Sequence, residues 1–166
     1  MGVSRGPVRE AIRQLEREGL VVSHPYRETV VVDLDEQEIR DFLIPIRYHL
    51  ESTVVRKYAE RMDESFFAHM QRLIDEMNAH MKDEDIETLV DLDLSFHESI
   101  VNLASERTVQ MMWQSISQHI KLHFNKNTGS YDKEFLIKDH ERLLETLRTK
   151  DAARIQQELL EHMNLF

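Results

Sequence analysis

The feature that most constrains this fold is the near absence of chain-breaking residues after Pro45. From residue 46 to the carboxyl end, the sequence contains one glycine, Gly129, and no proline. A sandwich or barrel of many short strands needs turn-forming residues at close intervals, and this stretch lacks them. We therefore predict that it folds as a bundle of helices. Most of the other glycines and prolines lie within the first 25 residues, which predicts a separate small unit there.

Composition excludes several classes of protein. The chain has no cysteine, which excludes a disulfide framework, a thiolate zinc site, an iron–sulfur cluster and a cysteine nucleophile. No run of 18 apolar residues is present, and the first residues lack the apolar core of a signal peptide. We therefore expect neither a membrane span nor secretion, and we predict a cytoplasmic protein.

Charge is distributed unevenly along the chain. The formal net charge is −10, yet residues 1–32 hold five arginines against four glutamates, and the rest holds 16 basic against 27 acidic side chains. An acidic surface repels phosphate, so we expect contact with nucleic acid only from the amino-terminal part.

The amino-terminal residues predict one amphipathic helix followed by a β-hairpin. Ser4 is a candidate N-cap, and the helix is expected to end near Gly19. Its apolar stripe is Val8, Ala11, Ile12 and Leu15, and its opposite face carries Arg5, Arg9, Arg13 and Arg17. β-branched residues on both sides of a turn at 24–27 predict two short strands, at 20–23 and 29–32.

Helical periodicity continues to the carboxyl end and predicts an antiparallel bundle of six or seven helices. Pro45 is expected to break or kink the first of them, because proline lacks the N–H that a helix interior needs. The predicted helices lie near 36–43, 46–61, 66–81, 89–104, 109–124, 136–147 and 152–166.

Polar side chains stand at positions where this periodicity requires apolar ones. Asp93 and His97 interrupt the inward face of one helix, and residues four apart lie one turn above the other. His140 and His162 occupy inward positions of two further helices. Burial of an ionised carboxylate and three imidazoles without partners would be costly, and a shared divalent metal removes that cost.

These four side chains suit zinc, nickel, manganese or iron, and we take zinc as the first candidate. In an octahedral shell, four protein ligands leave two positions for water or a small ligand. The site would keep a formal charge of about +1, which attracts anions. We therefore predict a small carboxylate as the ligand.

Two alternatives stay open at this point. A single histidine on an apolar stripe is more often a hydrogen-bonded core residue than a metal ligand. His119 and His123 also form a pair four residues apart, and spacing alone does not choose between them and the pair of Asp93 and His97. The core face predicted through Trp113 leaves His119 and His123 on the flank, so we expect them at a pocket edge or on the surface.

Arg47 is another charged residue on a face that we predict to be buried. Its planar guanidinium group suits bidentate recognition of a carboxylate. A structural ion pair with Glu51, or with another acidic neighbour, explains its position equally well.

Two parts of the chain resemble a known family of regulators. The first is similar to the recognition-helix signature of GntR-family winged-helix regulators, through Gly2-Val3-Ser4-Arg5-Gly6-Pro7-Val8-Arg9-Glu10-Ala11-Ile12-Arg13-Gln14-Leu15-Glu16 and Glu18-Gly19-Leu20-Val21. The rest resembles the all-helical FCD effector domain of the FadR-type branch, through Arg47-x-x-Leu50-Glu51, Asp93-x-x-Phe96-His97, His140 and His162. The resemblance implies that the metal ligands are Asp93, His97, His140 and His162, and that Arg47 binds the effector.

The resemblance further implies a homodimeric transcription factor that binds a divalent metal and a small organic acid, which alters its affinity for operator DNA. It places a partial winged helix-turn-helix domain at 1–33 and the FCD domain at 34–166. Ser4, Arg5 and Arg9 are then expected near the major groove, with Arg27 on the wing.

Two features of the chain depart from the family pattern. Two helices normally precede the signature, so about 35–40 residues are expected to be missing, and the chain alone is not expected to bind DNA. Glu28 stands where the family usually has glycine, which is expected to weaken the contact of the wing with phosphate.

A rival interpretation is a metal-dependent hydrolase or an oxygen-using enzyme on a helical bundle, because an open metal site can activate water. The chain has no His-Glu-x-x-His, Gly-x-Ser-x-Gly or P-loop motif, and no buried general base is evident beside the four ligands. A purely structural metal is a third interpretation. We predict a regulator without enzymatic activity.

Overall fold

The computed structural model describes residues 4–24, 26–81, 85–126 and 133–163. The chain divides into two compact units, which meet in the sequence between Asp35 and Glu36. Parts of the predicted pattern fall on Gly2, Val3, Pro25, Gly129 and Phe166, which lie outside the described residues.

The first unit consists of one helix and a two-stranded hairpin. Its elements are α1 (Arg5–Arg17), β1 (Val21–Ser23) and β2 (Thr29–Val31). Ser4 occupies the N-cap position with extended backbone, although its side chain makes no capping hydrogen bond. The strands pair antiparallel, with Val22 opposite Val30. The predicted helix and hairpin are confirmed.

Gly19 ends α1 and turns the chain towards β1. Its φ of 76° lies in the left-handed region, which glycine adopts without steric cost. The N–H of Gly19 donates to the carbonyl of Glu16, and the N–H of Leu20 donates to the carbonyl of Leu15. These are the two hydrogen bonds of a Schellman motif, and they bury Leu20 at the corner.

The apolar stripe of α1 is largely exposed. Val8 and Leu15 are 47% and 38% exposed, and no residue of α1 is buried. The helix is therefore amphipathic, as predicted, but its apolar face is not part of a core among the residues that the structure describes.

All described elements of the second unit are helical. They are α2 (Glu36–Glu38), a π-helical segment (Ile39–Leu43), α3 (Ile44–Tyr58), a 3-10 turn (Ala59–Arg61), α4 (Glu64–His80), α5 (Ile86–Val101), α6 (Arg107–Lys126), α7 (Lys133–Arg148) and α8 (Ala152–Met163). The predicted helical bundle is confirmed. None of these described helices combines the length with the apolar character that crossing a bilayer requires.

Pro45 does not interrupt the helical path. The π-helical segment runs directly into α3, and the change at Ile44 is one of hydrogen-bonding pattern. Pro45 lies in the first turn of α3, one residue after the hydrogen-bonding pattern changes, and it supplies no N–H to that turn. The expected break is thus a change of helix type.

Helix caps and a shared core hold the bundle together. The side chains of Asp63 and Asp85 accept hydrogen bonds from the N–H groups of Phe66 and Thr88, at the starts of α4 and α5. α4 buries Phe67. One core cluster comprises Val90, Leu94, Val101, Trp113, Ile116, Ile120 and Phe124. α3 packs against α5 and α8, and α7 packs against α8, so these four helices adjoin a common interior.

Candidate metal centre

Three helices direct the four predicted metal ligands into this interior. Asp93 and His97 come from α5, His140 from α7 and His162 from α8. The three histidines are fully buried, and Asp93 is 6% exposed. One ligand atom from each residue lies within 4.8 Å of all the others. The structure therefore brings together all four residues that the sequence singled out.

The four ligand atoms form two close pairs. His97 Nε2 lies 2.9 Å from His162 Nε2, and His140 Nε2 lies 3.1 Å from Asp93 Oδ1. Two ligands at right angles, each about 2.1 Å from a metal, are about 3.0 Å apart. Both spacings therefore suit neighbouring positions around one ion.

The other nitrogen of each imidazole ring faces a hydrogen-bond acceptor. The acceptors are Glu51 Oε2 for His97 at 2.7 Å, the carbonyl oxygen of Leu136 for His140 at 2.8 Å, and Asp139 Oδ2 for His162. Because carbonyl and carboxylate oxygens accept hydrogen bonds, we assign the proton of each ring to Nδ1. Partners of this kind orient histidines that ligate metals.

With the proton of each ring on Nδ1, the lone pair of each Nε2 atom can bind a cation. A neutral imidazole that donates from Nδ1 carries its lone pair on Nε2. Burial lowers the pKa of His97 well below its ordinary value and also lowers the pKa of His162, so both rings are neutral near pH 7. Three Nε2 atoms and Asp93 Oδ1 thus converge, and neither Asp93 Oδ1 nor His140 Nε2 has a hydrogen-bond partner among the described residues. One divalent cation satisfies all four, so the residues present fit a metal.

Arg47 and Glu51, both on α3, lie behind the four ligands. Arg47 Nε donates to Glu51 Oε1 at 3.0 Å, and both side chains are fully buried. Arg47 Nη2 lies 3.8 Å from Asp93 Oδ2. Neither Nη1 nor Nη2 of Arg47 has a hydrogen-bond partner among the residues described. Arg47 therefore forms an ion pair with Glu51 through Nε, and it still offers two buried donor groups, Nη1 and Nη2.

The surroundings shift the pKa values of both carboxyl groups. Burial raises the pKa of Glu51 to about 7, although the Arg47 cation acts to lower it. Burial also acts to raise the pKa of Asp93, but the contact with His140 and the charge of Arg47 outweigh burial and hold that pKa below its usual range. Asp93 is therefore ionised at neutral pH, as a metal-binding carboxylate must be.

His119 and His123 are not part of this cluster. Both are half-buried on α6, and His119 Nδ1 lies 2.7 Å from the carbonyl oxygen of Ser115. The described groups of acidic and histidine side chains that could hold a metal include neither residue. Their position agrees with the core face through Trp113, which is buried.

Sequence reasoning missed two residues of the centre. Asp139 was not singled out, although it directly precedes His140 and is 3% exposed. Glu51 was considered only as a partner of Arg47, whereas its second oxygen contacts His97. Glu51 follows Arg47 by four residues on the same helix, and Asp139 adjoins the inward position of His140, so an acidic residue at each position was the available signal.

The residues predicted to contact DNA are exposed on the first unit. They are Ser4, Arg5, Arg9 and Arg27. Arg13, on the same row of α1, pairs with Glu10 at 3.0 Å. Tyr26, beside Arg27 in the hairpin turn, has a φ of 62° and a fully exposed side chain.

The first unit combines a helix that carries an exposed arginine row with a two-stranded hairpin, and the second unit is a helical bundle around a buried polar cluster. Comparison with known families agrees: residues 1–31 match the gntR family of bacterial regulatory proteins, and residues 43–165 match the FCD domain. The chain belongs to the GntR family of transcriptional regulators that carry an FCD domain.

Relatives of known name are regulators as well. The chain is 28% identical over 168 residues to the HTH-type transcriptional regulator YdhC of Bacillus subtilis (strain 168), covering 98% of this chain and 73% of that protein. It is 27% identical over 168 residues to the gluconate operon transcriptional repressor of the same organism, covering 98% and 68%.

The same fold occurs in a solved structure, E. coli McbR/YncC. The match has a TM-score of 0.85 and 21% sequence identity, and it covers 99% of this chain and 83% of that one. At this identity the similarity shows the fold alone. With the family match, we conclude that the chain is a transcriptional regulator of the GntR and FCD type rather than an enzyme.

Proposed function

We propose that the helical bundle is a metal-dependent sensor of a small organic acid. Asp93, His97, His140 and His162 hold one divalent metal, with zinc the first candidate and nickel, manganese or iron the alternatives. The observation that carries the proposal is the convergence of four buried ligand atoms within 4.8 Å. When bound, the metal supplies a positive centre to which a carboxylate oxygen can coordinate. FCD domains typically bind metals and effectors, which supports the proposal.

The proposed ligand is a small carboxylate held by Arg47. Nη1 and Nη2 of Arg47 are buried without a hydrogen-bond partner among the described residues, and two parallel N–H donors match the two oxygens of a carboxylate. The name of one relative refers to a gluconate operon, and gluconate is a small carboxylate. Gluconate is therefore the first acid to test.

Binding of the acid is proposed to favour one arrangement of the bundle helices. That change would reach the DNA-binding part through the linker near residues 32–37 and alter the spacing of two DNA-binding units. The acid can shift this equilibrium only by its difference in affinity for the two states.

We propose that α1 enters the major groove and that the hairpin acts as a wing. Ser4, Arg5 and Arg9 would face the groove, and Arg27 would contact phosphate. The exposure of these four residues supports this assignment. Glu28, exposed beside Arg27, would weaken the contact of the wing.

We expect saturating effector to change the operator affinity of the regulator by at least about fivefold, the usual scale of allosteric coupling. The measurement is a fluorescence anisotropy titration on operator DNA, with gluconate first and then a panel of small carboxylates. Arg47→Gln should lose the response, whereas Arg61→Gln, which changes an arginine outside the centre, should keep it. An operator affinity unchanged by every acid at saturation would contradict the sensor proposal.

The regulator is also proposed to act as a homodimer, because two recognition helices related by a two-fold axis read two half-sites. A largely apolar groove of about 610 Å³ lies between α3 and α6. Ile46 and Met112, which line it, are 50% and 56% exposed. Exposed apolar patches of this kind mark protein contacts, and we assign this one to a second copy of the chain.

Met112→Glu is expected to convert the dimer into a monomer, because it places a charge on the groove in both copies. Sedimentation equilibrium measures the mass directly. Leu160→Glu is the matched control, since Leu160 is an exposed leucine on α8 that does not line the groove, and it should sediment as wild type does. A dimeric Met112→Glu variant would rule out this face.

A further inference from the structure

Glu51 is a buried carboxylate whose two oxygens have different partners. Oε1 accepts a hydrogen bond from Arg47 Nε at 3.0 Å, and Oε2 lies 2.7 Å from His97 Nδ1. Glu51 and Arg47 lie four residues apart on α3, whereas His97 is on α5. One side chain thus joins the proposed anion-binding arginine to a proposed metal ligand.

We infer that Glu51 couples the anion site to the metal site. A change in the position or charge of Arg47 reaches His97 through Glu51, so an anion bound at Arg47 alters the affinity for the metal. By linkage, metal binding alters the affinity for the anion by the same factor. The inference rests on the proposed function, in which His97 holds the metal and Arg47 holds the acid.

The physical basis is the dependence of a ligating histidine on its second partner. A carboxylate that accepts the Nδ1 proton fixes the ring and makes Nε2 a stronger ligand, and loss of such a partner typically weakens metal affinity about 10–100-fold. Arg47 holds the other oxygen of the same carboxylate. An anion bound to Nη1 and Nη2 partly neutralises the positive charge of Arg47. The negative charge of Glu51 is then less offset by Arg47, and it acts more strongly on His97. Anion and metal binding therefore strengthen each other.

A second route from Arg47 to the metal bypasses Glu51. Arg47 Nη2 lies 3.8 Å from Asp93 Oδ2, so the charge of Arg47 also acts on Asp93 directly. The two routes separate when Glu51 is replaced, because the direct effect survives the replacement and the effect through Glu51 does not.

The test is a double-mutant cycle on metal affinity. The Kd for Zn²⁺ is measured by competition with a chromophoric chelator for wild type, Arg47→Gln, Glu51→Gln and the double variant, without added anion. We expect Glu51→Gln to raise the Kd about 10–100-fold. Arg47→Gln should change the Kd by one factor in the protein that keeps Glu51 and by another factor in the Glu51→Gln variant. These two factors should differ by at least about fivefold, the usual scale of coupling between contacting residues. The same factor in both backgrounds would overturn the inference.

The control for a glutamate-to-glutamine change is Glu106→Gln. Glu106 forms an exposed ion pair with Lys57, away from the centre, and its variant should bind Zn²⁺ as wild type does. Circular dichroism checks that each variant folds. If Glu51→Gln does not fold, Glu51→Asp replaces it in the cycle, and the same difference between backgrounds is expected.

Failure of this inference differs from failure of the proposed function. A wild-type protein that does not bind Zn²⁺, nickel, manganese or iron contradicts the proposed function itself. If wild type binds Zn²⁺ but the effects of Arg47→Gln and Glu51→Gln are additive, the sensor proposal stands. Only the coupling through Glu51 is then contradicted.

Discussion

His97→Ala is expected to abolish metal retention and to lower the melting temperature by about 5–10 °C. The substitution removes one of four proposed ligands and takes from Glu51 a partner at 2.7 Å. A metal that binds only the folded state stabilises it by about 2.7 kcal/mol when its free concentration is about 100 times its Kd. Each kcal/mol shifts the melting temperature of a chain of this size by about 2–4 °C.

Metal content is measured by plasma mass spectrometry on protein purified without added metal, and melting by calorimetry. Wild type should carry about one metal per chain and lose stability on treatment with a chelator. His97→Ala should carry almost none and be insensitive to the chelator, and His140→Ala should behave in the same way.

Two histidines outside the centre serve as controls for this prediction. His69 is exposed on α4, and His119 belongs to the other pair of histidines on one helix face. His69→Ala and His119→Ala should both retain the metal. If His97→Ala keeps the metal and His119→Ala loses it, the metal is held by His119 rather than by His97. That result would contradict our account.

Arg47→Met is expected to destabilise the metal-free fold by about 3–5 kcal/mol, the usual effect of removing one partner from a buried ion pair. Methionine keeps the length of the side chain but leaves Glu51 buried without the cation that contacts it at 3.0 Å. Asp93 also loses the positive charge at 3.8 Å. The measurement is the midpoint of urea unfolding in the presence of a chelator, so that loss of metal does not contribute.

Lys57→Met is the matched control for the loss of a cation. Lys57 pairs with Glu106 at 3.9 Å, but both side chains are about half-exposed, and exposed pairs contribute little to stability. Its effect should be clearly smaller than that of Arg47→Met. Equal effects of the two substitutions would mean that Glu51 and Asp93 do not depend on Arg47.

The fold could be predicted from the sequence because its local signals agree with one another. Gly19 stands where the stripe of α1 stops, and its left-handed φ confirms the end of that helix. Pro45 shows the limit of such rules. Proline disrupts a helix interior, yet here the chain passes from π- to α-helical hydrogen bonding just before it and stays helical.

The four ligands could be predicted because each is a polar residue on an otherwise apolar helical face. Their partners could not be predicted, because those contacts depend on how the helices pack. Glu51 lies 46 positions before His97 in the sequence, and only the packing of α3 against α5 brings them to 2.7 Å. Asp139, on α7, likewise reaches His162 on α8. Helical periodicity describes one helix at a time and carries no information about such pairs.

The most direct measurement is the anomalous scattering of crystals grown from protein purified without a chelator, recorded on both sides of the absorption edge of the metal found in solution. Our account predicts one anomalous peak that lies about 2.0–2.2 Å from an oxygen of Asp93 and from the Nε2 atoms of His97, His140 and His162. Metal-containing crystals in which these four side chains surround no peak would contradict it.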